Sequence, residues 1–504
     1  MDKKGFNMED FKQELYSTQG RFALISLKAE INFSSKLIGF NGKSSDYIKS
    51  NLNSNNPNAI WARGVFYHEM IHYYQNTMTP IGVFIRLLNI AKTFLTFNFM
   101  ANEGLKKEGV AIKDLQSNTP LYQNFMVYYH AISDLQQLMF GLKNYTQKEA
   151  FHILTNGLGV CNILGTNAPN LFGFLKIDKP LNYILDENTP AIPTIQDKST
   201  LFNIKILFEG WASCVQIAEY INSLYFEDDK LNEDLHKVLK KVFHAEYKIV
   251  PESVSLKLYN KKLLELESDE LFIVVNITKI IVELSLYSPI HPSFVEIDDK
   301  EGIEWTDIYP SWRFLKALSV LDEIDLYGID NYQDSFDLII KTICNKFNWK
   351  QPQEFSSKWN NIKDSIDLKS SDDDINTNLI SQKKILQAYD ASISIKEELG
   401  MDIFTLYPHR ATQLTTPRKG NQSLLIPPVV LFKNREMMDI DNFTSIFFQY
   451  ILSQYISARF NGFSFNPRDS IKSFFANRGN IYGSELSIEK LVYNVNEMID
   501  KILN

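Results

Sequence analysis

Apolar residues recur every three or four positions along most of this chain, a spacing that predicts a mainly helical protein. The clearest helix begins at Pro57, because proline is favoured at the first helical position and Asn56 supplies an N-cap. Thr79 and Pro80 predict its end. Between these limits the positions at helical spacing are Trp61, Val65, His68, His72 and Gln75.

The same periodicity predicts further helices. They are expected directly after Pro80 and at about Tyr122–Tyr145, Leu201–Leu224, Asp269–Tyr287, Pro310–Ile324, Asp334–Phe347, Asp441–Phe460 and Glu485–Leu503. Phe22–Phe33 instead mixes β-branched and aromatic residues, which predicts a small sheet ahead of the Pro57 helix, with Lys36–Phe40 as a pairing segment. Gly157–Gly173 carries four glycines and is interpreted as a loop.

A length of 504 residues allows two to four domains. We expect a mainly α (α+β) architecture in two parts. Residues 1–300 would form the first domain, with a small N-terminal sheet and a helical insertion at about 81–200. Residues 301–504 would form a helical C-terminal domain.

Composition and charge narrow the classes of function. The formal net charge is −8 and no long basic run occurs, which argues against nucleic-acid binding. Three widely spaced cysteines cannot build a disulfide framework, so a reducing, cytoplasmic location is expected. No apolar run follows the N-terminal lysines, so no signal peptide is expected. Ile81–Met100 and Leu271–Ile290 are apolar but carry charged residues, which favours buried helices over membrane spans.

The first candidate chemistry lies in the Pro57 helix, in the sequence His68-Glu69-Met70-Ile71-His72. Residues at i and i+4 share one helix face, so His68 and His72 can direct two imidazoles at one metal ion. Glu69 lies about 100° further round the helix, where it can reach a metal-bound water without binding the metal. This pattern predicts two Zn²⁺ ligands and a general base.

A third ligand is needed, and Glu209 is the leading candidate. In its predicted helix Glu209 shares a face with small residues, and Gly210 costs about 1 kcal/mol relative to alanine in a helix. Small residues around one glutamate would permit the close approach of the histidine helix. The alternatives are Glu219, His152 and His130.

The combination of His68-Glu69-x-x-His72 with Glu209-Gly210-Trp211-Ala212 resembles the gluzincins, a class of zinc metallopeptidases. The resemblance implies a zincin-like core in which Glu209 is the third zinc ligand. The separation between His72 and Glu209 is long for that class, and it implies that Ile81–Thr200 is an inserted helical layer.

Ser288-Pro289-Ile290-His291-Pro292 is similar to a Ser-x-x-His-Pro element of the heat-shock and prenyl-protein peptidase group, with Arg313 as a counterpart of its later arginine. That similarity implies that His291 stabilises an oxyanion. The alternative is that His291 caps a carbonyl where the helix ends. Tyr287 and His409 are further candidates for the oxyanion role. His130 and Asp134 could orient a zinc-binding histidine, although a local contact between them is the commoner explanation.

The sequence thus predicts a zinc-dependent peptide-bond hydrolase. Its zinc-bound water would be activated by Glu69, and its substrate would be a protein or peptide. The long insertion and large C-terminal part also suggest a regulatory protein partner. The alternative is a helical interaction or scaffold protein whose metal site is structural or vestigial. A third hypothesis keeps the metal chemistry but assigns a non-peptide amide as the substrate.

Overall fold

The computed structural model describes most of the chain. The described residues are 21–23, 28–31, 57–102, 111–115, 119–167, 172–177, 183–186, 188–195, 200–224, 248–291, 302–324, 332–363, 386, 389–390, 393, 429–432, 437–439, 443–474 and 488–503. Within them the protein is mostly helical, which confirms the predicted mainly α character.

The described helices are numbered in chain order. They are α1 (Pro57–Thr77), α2 (Pro80–Asn102), α3 (Pro120–Phe140), α4 (Gln147–Asn167), α5 (Ile204–Leu224), α6 (Ile249–Tyr259), α7 (Ser268–Leu286), α8 (Trp305–Ile308), α9 (Pro310–Ser319), α10 (Tyr332–Phe347), α11 (Pro352–Lys363), α12 (Phe443–Asn461), α13 (Pro467–Phe474) and α14 (Ile488–Leu503).

Helix α1 ends where the sequence predicts, and a threonine joins it to α2. The hydroxyl of Thr79 donates to the carbonyl of Gln75 at 2.6 Å and accepts from the backbone N–H of Gly82 at 3.2 Å. Thr79 therefore satisfies backbone groups of both helix ends. Gly82 lies against this turn, since a Cβ atom there would be 1.8 Å from the Gln75 carbonyl oxygen.

Helices α1 and α5 pack most extensively against each other, and α5 also packs on α7. Both α1 and α5 are buried on nearly every side. From 62 to 77 only His68 keeps partial exposure, and from 206 to 221 only Glu209 does. The sequence pattern predicts a one-sided apolar stripe, whereas these helices form the centre of the protein.

A glycine permits the close approach of α1 to α5. A Cβ atom at Gly64 would lie 2.6 Å from the ring of Tyr220 on α5. Gly210, to which the sequence argument gives this role, instead faces α6, because its Cβ atom would lie 2.7 Å from Val250. The expectation that small residues on α5 admit the histidine helix is therefore wrong for Gly210.

The predicted N-terminal sheet is not supported as a separate unit. Strand β1 (Arg21–Ala23) pairs antiparallel with β2 (Lys28–Ile31), but β2 also pairs in parallel with Val429–Phe432, which pairs antiparallel with Met437–Asp439. The sheet thus depends on residues far along the chain. Lys36–Phe40 lies outside the described residues. Short strand pairs also join Tyr183–Ile184 to Ile303–Glu304 and Thr194–Ile195 to Thr200–Leu201.

The predicted loop at Gly157–Gly173 is wrong for its first part, since α4 continues to Asn167. Two of the three glycines of α4, Gly157 and Gly165, provide close packing rather than a turn. A Cβ atom at Gly157 would lie 2.4 Å from Leu135 on α3, and one at Gly165 would lie 2.7 Å from the carbonyl oxygen of Phe172. Glycine is thus tolerated inside this helix because neighbouring segments occupy the space of a side chain.

Among the described residues, α2 has the length and apolar composition to cross a membrane, and 78% of its most apolar stretch is buried inside the protein. Such burial is typical of a core helix. Leu271–Ile290, the other apolar segment, corresponds largely to α7, which is also mostly buried. All three cysteines are free and buried.

Two groups of buried side chains organise the described helices. The larger extends from Ala62 on α1 to Ile393 and includes Trp305 and Phe314. The smaller joins residues of α2 and α3 to α12, α13 and α14. Residues on both sides of the predicted boundary at 300 share the larger group, and the division into two domains stays a prediction.

Candidate metal centre

Two helices bring three ligand groups to one point. His68 and His72 project from α1, and Glu209 projects from α5. The Oε2 atom of Glu209 lies 3.4 Å from Nε2 of His68 and 3.4 Å from Nε2 of His72. One ligand atom from each residue lies within 4.8 Å of the others, and no further such group of histidine, cysteine or acidic residues occurs among the described residues.

These separations suit a shared metal ion better than direct hydrogen bonds. Charge-assisted N–H···O bonds measure about 2.7–2.9 Å, which is shorter than 3.4 Å. Zinc binds nitrogen and oxygen at about 2.0–2.2 Å, so tetrahedral geometry places two ligand atoms about 3.3–3.5 Å apart. Both nitrogen–oxygen separations therefore match an edge of a zinc tetrahedron.

Neighbouring groups orient His72. Its Nδ1 atom lies 2.9 Å from the side-chain oxygen of Gln75, and the amide nitrogen of Gln75 donates to the backbone carbonyl of Phe208 at 2.8 Å. The His68 and His72 rings meet nearly perpendicularly, with centroids 4.9 Å apart and an interplanar angle of 82°. Their Nε2 atoms can therefore converge on Glu209 without the rings stacking.

The electrostatics of the three groups favour a bound cation. Burial lowers the pKa of His72, but its interactions with the carboxylates of Glu209 and Glu69 outweigh burial and raise that pKa to about 9. Burial raises the pKa of Glu209, but its interactions with the two imidazoles hold it well below the usual range. Without a metal, the proton held by the His72 imidazole offsets part of the negative charge of the Glu209 carboxylate. A divalent ion would replace that proton.

The three side chains are mostly enclosed but keep some exposure to solvent. His68, His72 and Glu209 expose 17%, 10% and 22% of their side chains. Glu69 exposes 3%, and its charge contributes to the raised pKa of His72, so it lies near the group without belonging to it. The proposed ligands are therefore partly accessible to solvent, whereas Glu69 is almost fully buried.

The rival third ligands lie elsewhere. The carboxylate of Glu219 accepts from Nε of Arg63 at 2.8 Å inside the protein, although it is on the same helix as Glu209. His130 and His152 are exposed to solvent on α3 and α4, and Asp134, the predicted partner of His130, is also exposed. None of these belongs to the group formed by His68, His72 and Glu209.

His291 is completely buried, with Nε2 3.3 Å from the carbonyl of Leu175 and its ring 5.6 Å from that of Phe84. Burial lowers its pKa to about 4, so the imidazole is neutral at pH 7. Leu175 lies in a different segment from α7, so this contact is not a cap at the end of that helix, and the alternative interpretation stays a prediction. The oxyanion role of His291 stays a prediction to which these contacts lend no support.

Arg313 and Tyr287, which the sequence analysis considers together with His291, are also buried. Arg313 donates to the carbonyls of Asp307 and Leu284 and stacks 3.7 Å above the ring of Trp349, so its described contacts are structural. Tyr287 is buried against Phe355, and burial raises its pKa well above the usual range. His409 lies outside the described residues.

The residues present fit a zinc ion. Two imidazoles and one carboxylate are typical zinc ligands, and their separations match the expected geometry; among the described residues three such ligands converge. Sequence reasoning missed Gln75 as the partner of His72. The signal was present, since Gln75 lies one helical turn from His72 on the same face. Comparisons of the chain with protein-family models, curated proteins and solved structures give no match.

Proposed function

We propose that this protein is a zinc-dependent hydrolase of peptide bonds, of the gluzincin type, in which His68, His72 and Glu209 hold the metal. The observation that carries the proposal is the pair of 3.4 Å separations between the two imidazole nitrogens and one carboxylate oxygen. Added to it is the position of Glu69, adjacent to the first histidine and close enough to influence His72.

Each residue has a distinct task in this proposal. Zinc, when bound, lowers the pKa of a water molecule to about 7 and polarises the carbonyl of the substrate. The Glu69 carboxylate accepts the proton of the attacking water and then delivers it to the leaving amine. Glu69 is 3% exposed, so its carboxylate would act in an enclosed environment.

The substrate is proposed to be a protein or peptide segment that reaches the recessed ligands. His68 and Glu209 are the partly exposed residues of two otherwise buried helix stretches, 62–77 and 206–221, so a substrate would reach the proposed metal from their side. A non-peptide amide would need the same water and the same base. The proposed active-site residues do not distinguish a peptide from a non-peptide amide, so the experiment below has to identify the substrate class.

The alternative function, a scaffold with a structural metal, is less well supported. Structural zinc sites are usually closed by four protein ligands, whereas catalytic sites keep a position open. Three ligands converge among the described residues, and two of them retain at least 17% side-chain exposure. This arrangement favours an open, catalytic site.

Wild-type protein and the Glu69→Gln variant should be incubated with a cell lysate, followed by mapping of new peptide termini and measurement of zinc content. We expect one zinc per chain in both proteins and new termini only with wild type. A chelator should abolish the cleavage and added zinc should restore it. Equal cleavage by the Gln variant, or a purified wild type without a metal, would refute the proposal.

A further inference from the structure

We propose that Gln75 is a positioning residue that fixes the ring of His72 in one tautomer and ties it to the helix that carries Glu209. This inference rests on the proposed zinc function and adds to it a residue that the His-Glu-x-x-His pattern does not contain. Gln75 touches no proposed substrate or metal. It acts through two hydrogen bonds of one side-chain amide.

The backbone carbonyl of Phe208 fixes the orientation of the Gln75 amide. A backbone carbonyl only accepts hydrogen bonds, so the group that lies 2.8 Å from the Phe208 carbonyl oxygen must be the NH₂ of Gln75. The side-chain oxygen of Gln75 then faces His72, 2.9 Å from its Nδ1 atom. The position of Phe208 therefore determines which end of the amide meets the imidazole.

The orientation of the Gln75 amide in turn determines the tautomer of His72. The amide oxygen of Gln75 can only accept, so Nδ1 of His72 must carry the proton of this hydrogen bond. In a neutral imidazole Nε2 is then left with its lone pair. Nε2 is the atom that lies 3.4 Å from the Glu209 carboxylate, so the available lone pair is directed at the proposed metal position.

The Gln75 amide also joins helix α1 to helix α5. Phe208 precedes Glu209 in the chain, so the hydrogen bond from Gln75 joins the backbone beside one ligand to the ring of another. Gln75 is itself held in place, because it is fully buried and its carbonyl oxygen accepts the Thr79 hydroxyl. The amide therefore sets both the direction of His72 and the separation of α1 from the Glu209 turn of α5.

His68 and His72 differ in the hydrogen bonding of their Nδ1 atoms. The Nδ1 atom of His68 is buried and has no hydrogen-bond partner among the described residues, whereas Nδ1 of His72 is bound to Gln75. Outer hydrogen bonds of this kind typically change metal affinity by about 10–100-fold. His72 is thus the anchored ligand and His68 the adjustable one.

The test compares zinc affinity, by competition with a chromogenic chelator, in wild type and three variants. Gln75→Met keeps the shape of the side chain but removes both hydrogen bonds. Gln75→Glu keeps an acceptor for Nδ1–H of His72. Gln216→Met is the matched control, because Gln216 is also buried and its side chain donates to the Tyr220 hydroxyl at 2.9 Å, on α5 but outside the group of ligands.

We expect Gln75→Met to bind zinc about 10–100-fold more weakly and Gln216→Met to bind as wild type. Gln75→Glu should recover part of the loss, because it restores the acceptor for His72 but not the donor to the Phe208 carbonyl. Circular dichroism and thermal unfolding establish that each variant is folded. In zinc-loaded protein labelled with ¹⁵N-histidine, the Nδ1–H proton of His72 should exchange slowly with water in wild type and rapidly in Gln75→Met.

The outcomes separate the two proposals. A wild-type protein that binds no zinc refutes the proposed function, and this inference with it. A wild type that binds zinc, with unchanged affinity and unchanged Nδ1–H exchange in Gln75→Met, refutes the positioning role alone. An equal loss in Gln216→Met would also overturn it, because the effect would then be a general one of packing. If Gln75→Met does not fold, zinc affinity and Nδ1–H exchange in Gln75→Glu decide, and loss of both overturns the role.

Discussion

The Nε atom of Arg63 lies 2.8 Å from Oε1 of Glu219, and both side chains are enclosed by the protein. This ion pair joins α1 to α5, the two helices that carry the proposed ligands. Isolated buried charges are costly, so each partner depends on the other. The pair therefore makes the packing of the two helices specific as well as close.

Removal of one partner should be more harmful than removal of both. We expect Arg63→Met to lower the free energy of unfolding by about 3–5 kcal/mol, because Glu219 would remain as a buried charge without its guanidinium. Arg63→Met combined with Glu219→Leu should recover much of that loss. Urea denaturation of the three proteins measures the effect. A double variant no more stable than the single one would contradict this account.

Loss of the third ligand should be visible in zinc binding without any assay of activity. We expect Glu209→Gln to reduce zinc affinity by more than about 100-fold, since it removes one of three ligands and its negative charge. Glu252→Gln is the matched control, because Glu252 forms an ion pair with Lys248 away from the ligand group. Comparable zinc affinity in the two variants would exclude Glu209 as a ligand.

A single methyl group at Gly82 should destabilise the protein. The Cβ atom of Gly82→Ala would lie 1.8 Å from the Gln75 carbonyl oxygen, so the backbone at the end of α1 would have to move. We expect a loss of about 3 kcal/mol. Gly159→Ala is the control, because a Cβ atom there meets nothing within 4 Å and should stabilise α4 by about 0.5–1 kcal/mol. Thermal unfolding of both variants tests the contrast, which a small effect at Gly82 would contradict.

The buried His291 should make stability depend on pH. Burial lowers its pKa from 6.5 to about 4 in the folded protein. Below pH 6.5 the unfolded chain binds a proton at His291 that the folded protein does not bind until about pH 4, so the contribution of His291 to stability is full above pH 6.5 and is lost between these values. The loss is about 3 kcal/mol.

This pH dependence can be assigned to one residue. His291→Asn should flatten the slope of unfolding free energy against pH between about 6.5 and 4, whatever it does to stability at pH 8. His152→Asn, at an exposed position on α4, should leave the slope as in wild type. Identical slopes in wild type and His291→Asn would show that other groups govern the acid sensitivity.

Local features of the molecule were predictable because they depend on neighbouring residues in the chain. The spacing of His68 and His72 sets their common face through helix geometry alone, and Pro57 and Thr79 mark the limits of α1. The choice of Glu209 relied on its small neighbours and on a motif resemblance, since Glu209 and Glu219 both meet α1 and periodicity does not reveal which of them meets the histidines.

Contacts between distant segments could not be predicted. The partner of Arg63 is determined by how α1 lies on α5, and a charged residue inside an apolar helix face gives no sign of its partner. The parallel pairing of Lys28–Ile31 with Val429–Phe432 likewise joins opposite ends of the chain. The glycines of α4 resemble a loop in sequence because their packing partners, such as Leu135, belong to other elements.

The enclosure of α1 has a consequence for hydrogen exchange. Along 62–77 the side chain of His68 is the one place where this helix reaches partial exposure, so this stretch is enclosed by the rest of the protein. Its backbone amides should exchange with deuterium only when the whole fold opens. Deuterium uptake by the peptide around His72 would then report the global opening of the fold.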